Sequence, residues 1–257
     1  MEKTVFTAYA RLWLFSAIVC LVFLSSTSCR QQTEAERILN AAIEAHGGRL
    51  FEQSMISFDF RDRSYELFKS PDAFRYVRAF TDSTGSVRDV LDNQGFVRTV
   101  NGEPVDLPDE RVQAFSNSVN SVAYFAFLPY GLNDEAVFKS YLGETELEGN
   151  TYYVVKVTFS EEGGGEDFED EFLYWVNQET NRIDYLAYLY FTDGGGLRFR
   201  KATKQHLVGG LILQDYANYK PKDKTAHLED LESLYKERKL ELLSEIELQN
   251  IRVDLVK

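Results

Sequence analysis

The residues Glu161-Glu162-Gly163-Gly164-Gly165-Glu166-Asp167-Phe168-Glu169-Asp170 set six carboxylates around a glycine run. Oxygen ligands in that number are what a calcium ion takes. The order of ligands is not that of an EF-hand loop, and strand alternation sends Glu169 and Asp170 to opposite faces. A solvated hairpin connection is therefore the expectation, with no metal and no cofactor. The second glycine run, Asp193 to Gly196, is not a phosphate loop, because no Lys-Ser/Thr follows and strand residues come next. His46, His206 and His227 stand at no ligand spacing from one another. Gly-x-Ser-x-Gly, His-Glu-x-x-His and a Cys/His pair are missing after residue 28, so no catalytic residue is assigned. No lysine stands out as a desolvated Schiff-base former. One charge does stand out. Arg78 shares a strand face with Phe74, Tyr76 and Phe80, and a charge among aromatics needs a partner or a ligand anion. Asp170 is the carboxylate this reading offers it. The other arginines of this region, Arg61, Arg63, Arg75, Arg88 and Arg98, are expected on a solvated outer face.

These side chains have to be held by strands for the most part. Tyr152 to Tyr219 reads as strand, turn, strand, turn, strand: short periodic runs separated by glycine or Asn/Asp clusters, the signature of an antiparallel meander. Within it Phe172, Tyr174 and Val176 share one face while Leu173 and Trp175 share the other. A second period-two region runs from Met55 to Val100, with turns at Ser70-Pro71-Asp72, Asp82 to Gly85 and Asn93-Gln94-Gly95. Glu34 to His46 carries a helical stripe of Ile38, Leu39, Ala42 and Ile43, with His46 as a capping residue and Gly47 beyond it. Between the strand regions, Asp109-Glu110 opens a helix that must stop before Leu128-Pro129. Its Tyr124, Phe125, Phe127 and neighbours form the most apolar patch after the leader, placed to cover the sheet's concave face. Asp223 to Lys239 reads as helix, and Leu240 to Val253 as a closing edge strand.

The chain has 257 residues, 44% hydrophobic and 14% aromatic, which is ample material for a core. Its formal charge is −13. Such a balance argues against nucleic acid, which requires a basic stripe, and against adhesion to anionic headgroups. Lys3 and Arg11 precede the apolar run Leu12 to Leu24, followed by Ser25-Ser26-Thr27-Ser28-Cys29. This describes a secretory signal peptide over residues 1–28. The cysteine after small residues resembles the lipobox of bacterial lipoproteins, with Ser26 where Leu is usual. The other cysteine, Cys20, lies in the leader, so Cys29 has no intramolecular disulfide partner once the leader is removed. Two or more acyl chains on Cys29 would hold the chain at a membrane surface. The resulting expectation is an exported, monomeric protein of the periplasm or outer membrane, with residues 29–257 as a single domain.

Several motifs add a resemblance. The hairpin Leu173-Tyr174-Trp175-Val176-Asn177-Gln178-Glu179-Thr180-Asn181-Arg182-Ile183 is similar to one in the LolA/LolB-type superfamily, with Asn177 where Asp is usual and Asn181 where Gly is usual. Ala45-His46-Gly47-Gly48, Asn120-Ser121-Val122, Leu128-Pro129-Tyr130, Gly163 to Asp167 and Leu197-Arg198-Phe199-Arg200 resemble a family of Bacteroidota lipoproteins. The resemblance implies a mainly β, α+β fold: a curved antiparallel half-barrel covered by a few helices around a hydrophobic cavity. It also implies lipid or lipoprotein acyl chains as partners. The residues assigned to line that cavity are Phe58, Phe60, Tyr76, Phe80, Phe125, Phe127, Phe172, Tyr174, Tyr185 and Phe199, with Arg78 as the anion anchor. Two alternatives stand beside this. One is a hydrolase or lyase using the same cavity, with Arg78 beside Asp170 or His206; the other is an interaction protein with a filled core.

Overall fold

Alternation of apolar and polar residues, punctuated by two-residue turns, dictates most of the backbone. The computed structural model describes residues 31–163 and 167–256. The expected signal peptide and Cys29, and Glu166 of the acidic loop, lie outside the described residues. Glu34–Lys257 forms a compact unit distinct from Met1–Thr33, and all three hydrophobic cores lie within it.

Helix α1 (Glu34–His46) opens this unit and buries Ile38, Leu39, Ala42 and Ile43. His46 is fully buried, with its Nδ1 2.9 Å from the Ala42 carbonyl oxygen. Six strands follow: β1 (Ser54–Phe60), β2 (Arg63–Lys69), β3 (Phe74–Asp82), β4 (Gly85–Asp92), β5 (Gly95–Val100) and the short β6 (Glu103–Pro104). Tight turns fix their register. Asp82 pairs with Gly85 across β3–β4 and Asp92 with Gly95 across β4–β5. Asp82 Oδ1 accepts both the N–H and the hydroxyl of Thr84 in the first of these turns. Helix α2 (Asp109–Phe127) comes next and ends as expected, with Leu128 extended ahead of Pro129.

The meander then supplies β7 (Val137–Leu147), β8 (Asn150–Phe159), β9 (Glu171–Asn177), β10 (Ile183–Tyr190), β11 (Gly196–Val208) and β12 (Leu211–Pro221). The charged stretch after it is helical only over α3 (Leu231–Lys236), preceded by a 3-10 turn at Leu228–Asp230. Strands β13 (Leu240–Ile246) and β14 (Leu248–Leu255) close the chain.

These strands make two seven-stranded antiparallel sheets, ordered β14-β1-β2-β3-β4-β5-β6 and β13-β12-β11-β10-β9-β8-β7. They do not close into a barrel, since β6 and β7 remain outer edges. The predicted single edge strand is instead one chain segment bent at Glu247. Its first half pairs with β12 and its second with β1, so it ties the sheets together. Asp215 of β12 holds the bend: its Oδ1 accepts the Leu248 N–H at 2.8 Å and lies 2.9 Å from His206 Nε2.

Helices α1 and α2 cover the inner faces of the sheets. Val119, Ala123, Ala126 and Phe127 of α2 pack on Phe58, Tyr65, Leu67 and Tyr76. Residues of α1 pack on Val155, Phe172, Tyr174 and Leu186. The third core lies on the opposite side of the second sheet. There Leu228 and Leu231 cover Leu173, Trp175, Tyr185 and Phe199, and the Trp175 indole donates to Glu232 Oε2 at 2.7 Å. The second sheet is thus buried on both faces.

Candidate functional site

The outward stripe of α2 does not seal against the second sheet. Ala114, Asn117, Ser118, Ser121, Val122 and Phe125 recur at three- and four-residue spacing, one face of a helix, and border a cleft of about 650 Å3. Its opposite wall is aromatic: Phe159 of β8, Phe172 of β9, and Tyr188 and Tyr190 of β10. The rings touch in succession. Phe172 stacks on Tyr188 at 5.4 Å, Phe125 meets Tyr188 at 5.2 Å, and Tyr124 meets Phe172 at 5.3 Å. A smaller pocket of about 190 Å3 adjoins it and shares Phe60, Arg61, Ser121, Val122 and Phe125. The volume of the larger cleft falls within the roughly 300–1,000 Å3 of small-molecule sites.

Polar groups are placed at intervals along these walls. Arg198 donates to the Tyr190 hydroxyl at 2.6 Å, and Arg200 to the Tyr188 hydroxyl at 2.8 Å. The Arg200 guanidinium lies 3.6 Å over the Phe125 ring, close enough for a cation–π attraction. Asp170 borders the larger cleft, where burial, reinforced by the neighbouring charge of Asp167, pushes its carboxyl up to about 6. Its Oδ1 accepts the Phe191 N–H at 3.2 Å.

Four of the residues assigned to the cavity line these spaces: Phe58, Phe60, Phe125 and Phe172. The others are placed elsewhere. Tyr76 and Phe127 are buried in the core between α2 and the first sheet, 5.9 Å apart. Phe80 lies beneath the guanidinium groups of Arg63, Arg78 and Arg98. Tyr174 is fully buried and shares a 2.7 Å hydroxyl–hydroxyl hydrogen bond with Tyr124. Tyr185 and Phe199 face away from the cleft and meet Tyr235 in the third core, Phe199 stacked on it and Tyr185 tilted against it. Register explains the correction. Tyr185 pairs with Trp175, and Phe199 with Ala187, which pairs with Leu173, so all share the face opposite Phe172.

Arg78 is also corrected. It is 3% exposed and meets neither Asp170 nor His206, for its partner is Asp89. Its Nε and Nη2 donate to Asp89 Oδ2 at 2.9 and 2.6 Å, and its Nη1 donates to Ser118 Oγ at 2.7 Å. Arg98, expected outside, donates to the same carboxylate from the other side at 2.6 and 2.9 Å and lies 3.6 Å over Phe115. Arg61 and Arg63 line the larger cleft. The cleft residues that sequence reasoning missed are chiefly Tyr124, Tyr188, Tyr190, Arg198 and Arg200. The available signal was strand parity: placing Phe199 inward sent Arg198 and Arg200 outward, and the structure has the reverse.

A family model matches residues 13–248. The chain belongs to DUF6503, a family of unknown function. No curated protein matches this DUF6503 chain. The likeness to LolA-type proteins expected from the sequence is found among solved structures. A LolA superfamily protein from Nitrosomonas europaea is similar at a TM-score of 0.46 and 12% identity, covering 88% of this chain and 94% of that one. A DUF1329 family protein from Desulfovibrio piger is similar at 0.46 and 10%, covering 86% and 93%. Lipoprotein LppX from Mycobacterium tuberculosis is similar at 0.27 and 11%, covering 62% and 88%. At these identities and scores the likenesses carry no argument about function.

Proposed function

We propose that this chain is an envelope lipoprotein, tethered by an acylated Cys29, that holds the apolar part of a lipid or lipoprotein ligand in the cleft beneath α2. The cleft carries the reading. It is bordered on one side by a continuous series of aromatic rings, it faces polar and charged side chains that include Arg61, Arg63, Asn117 and Ser118, and it continues into a second pocket. A cavity of that make-up suits an amphiphile, with the apolar body against the rings and polar anchors at fixed points. At about 0.8 kcal/mol per buried methylene, roughly ten methylenes reach the ~8 kcal/mol of a micromolar ligand before ordering costs. The leader and the lipobox-like cysteine support the address.

Ser121 offers a clean test, because it borders both spaces from an exposed position on α2. An indole there would obstruct the cleft without entering a core. Glu34–Lys257 should bind N-phenyl-naphthylamine with a rise in fluorescence, and dodecanol should displace it. Ser121→Trp should abolish both effects while leaving stability within about 0.5 kcal/mol of the parent. Unchanged probe binding in Ser121→Trp would place the ligand somewhere other than this cleft.

A further inference from the structure

The buried arginines on the inner side of the sheets keep very different company. Arg78 and Arg98 share the Asp89 carboxylate. Arg200 is as enclosed, at 8% exposure, yet no carboxylate pairs with it among the described residues. Its Nη2 donates to the Tyr188 hydroxyl, its plane rests on Phe125, and its Nε–H has no acceptor among the described residues. A buried cation without a counter-charge is costly to hold, and removing water from it yields a strong, unused donor.

Directly across the β11–β12 ladder from Arg200 stands Asn218. It is 7% exposed, its Nδ2 donates to Ser244 Oγ at 3.2 Å, and its Oδ1 has no partner among the described residues. Both residues border the 190 Å3 pocket, whose remaining walls include Phe58, Val122, Ile246 and Leu248. Two unsatisfied polar groups therefore stand opposite one another at a recess whose walls mix these apolar side chains with Arg61, Ser121, Gln214, Tyr216 and Ser244.

We propose that this recess is the seat of an anionic headgroup, a carboxylate or a phosphate, with Arg200 as its charge partner. The inference rests on the amphiphile reading and names the class of amphiphile. The anion pairs with the Arg200 guanidinium, while the Asn218 side-chain amide can pair with a hydroxyl or amide on the same headgroup. The recess has the volume of roughly six water molecules, enough for a headgroup and a few carbons. The tail then passes Phe60, Val122 and Phe125, which the two spaces share, into the larger cleft.

The test compares dodecanoate, dodecyl phosphate and dodecanol on Glu34–Lys257 by displacement of N-phenyl-naphthylamine, all below their micelle concentrations. The parent should bind at least one of the two anions about tenfold or more tightly than the alcohol, as expected for a charge-assisted hydrogen bond. Which anion is preferred separates a carboxylate source from a phosphate source. Arg200→Met should erase the preference and leave the alcohol within about twofold of the parent. Asn218→Asp gives a second readout, for it sets an internal carboxylate opposite Arg200. That variant should lose the anion preference and melt at a higher temperature than the parent. Equal affinity of the parent for anions and alcohol would overturn the seat while leaving the cleft reading intact. So would an Asn218→Asp variant that keeps the full preference. If no amphiphile displaces the probe, the cleft reading falls and the seat with it.

Discussion

At the scale of single residues, Asp89 decides how the first sheet tolerates charge beneath α2. It is fully buried and accepts from Arg78 and Arg98 together. Removing it would strand two guanidinium groups, so Asp89→Ala should cost about 3–5 kcal/mol in urea unfolding. A loss under about 1 kcal/mol would mean the trio is solvated. Arg78→Met, which looks harmless if Arg78 is a waiting anchor, instead takes away half of the partners of Asp89. This arrangement was legible. Turns that pair Asp82 with Gly85 and Asp92 with Gly95 also put Arg78 opposite Asp89 and Asp89 opposite Arg98, because antiparallel register follows from the turn. The isolation of Arg200 was not legible, because it depends on what every other element leaves uncovered. Asp170 makes a prediction of a different kind. Its folded value of about 6 lies above the ordinary 3.8. Ionisation therefore opposes folding: the group's contribution is fully present below its unfolded value and is lost as pH rises through about 6. Asp170→Asn should leave stability at pH 3.5 unchanged and raise it at pH 7.5 by about 1 kcal/mol, a figure reduced for solvent screening. Parallel pH–stability curves for the two proteins would contradict the assignment.

Among the elements, α3 has an influence beyond its six residues. By burying the outer face of the second sheet, it removes the contrast between an apolar face and a wet one on which strand reading relies. Tyr185 and Phe199 look like inward residues only if the other face is wet. A register shift between Ile183 and Tyr185 further breaks the parity carried over from β9. The helix α2 and its stop at Pro129 were readable because helical spacing and proline act locally, and so were most of the strands, but the break between β1 and β2 at Arg61-Asp62 and the whole of β7 were not. The bend at Glu247 was not, since it depends on Asp215 receiving the Leu248 N–H from a strand far away in sequence. Leu231, the first residue of α3, is fully buried against the sheet, so Leu231→Ala should cost about 2–5 kcal/mol in thermal or urea unfolding. A cost near zero would show that α3 does not hold this face shut.

For the molecule as a whole, a strongly acidic chain places its arginines selectively. The net charge is −13, yet Arg61, Arg63, Arg198 and Arg200 border the two connected spaces. The same walls carry Glu110, Asp167 and Asp170, so the lining is close to balanced within an acidic body, and an anionic guest meets less repulsion there than on the rest of the surface. Sequence composition alone gave the sign of the surface but not this exception, since charge counts carry no positions. The central claim is that the cleft beneath α2 holds an amphiphile on a membrane-tethered chain. Native mass spectrometry of protein extracted from membranes tests both halves at once. The account predicts a chain beginning at residue 29 with the covalent mass of two or more acyl groups, accompanied by a noncovalent amphiphile that is missing from Ser121→Trp. A chain without acyl mass would contradict the tether. A parent that is uniformly ligand-free and stays so when offered fatty acids and lipopeptides would contradict the cleft.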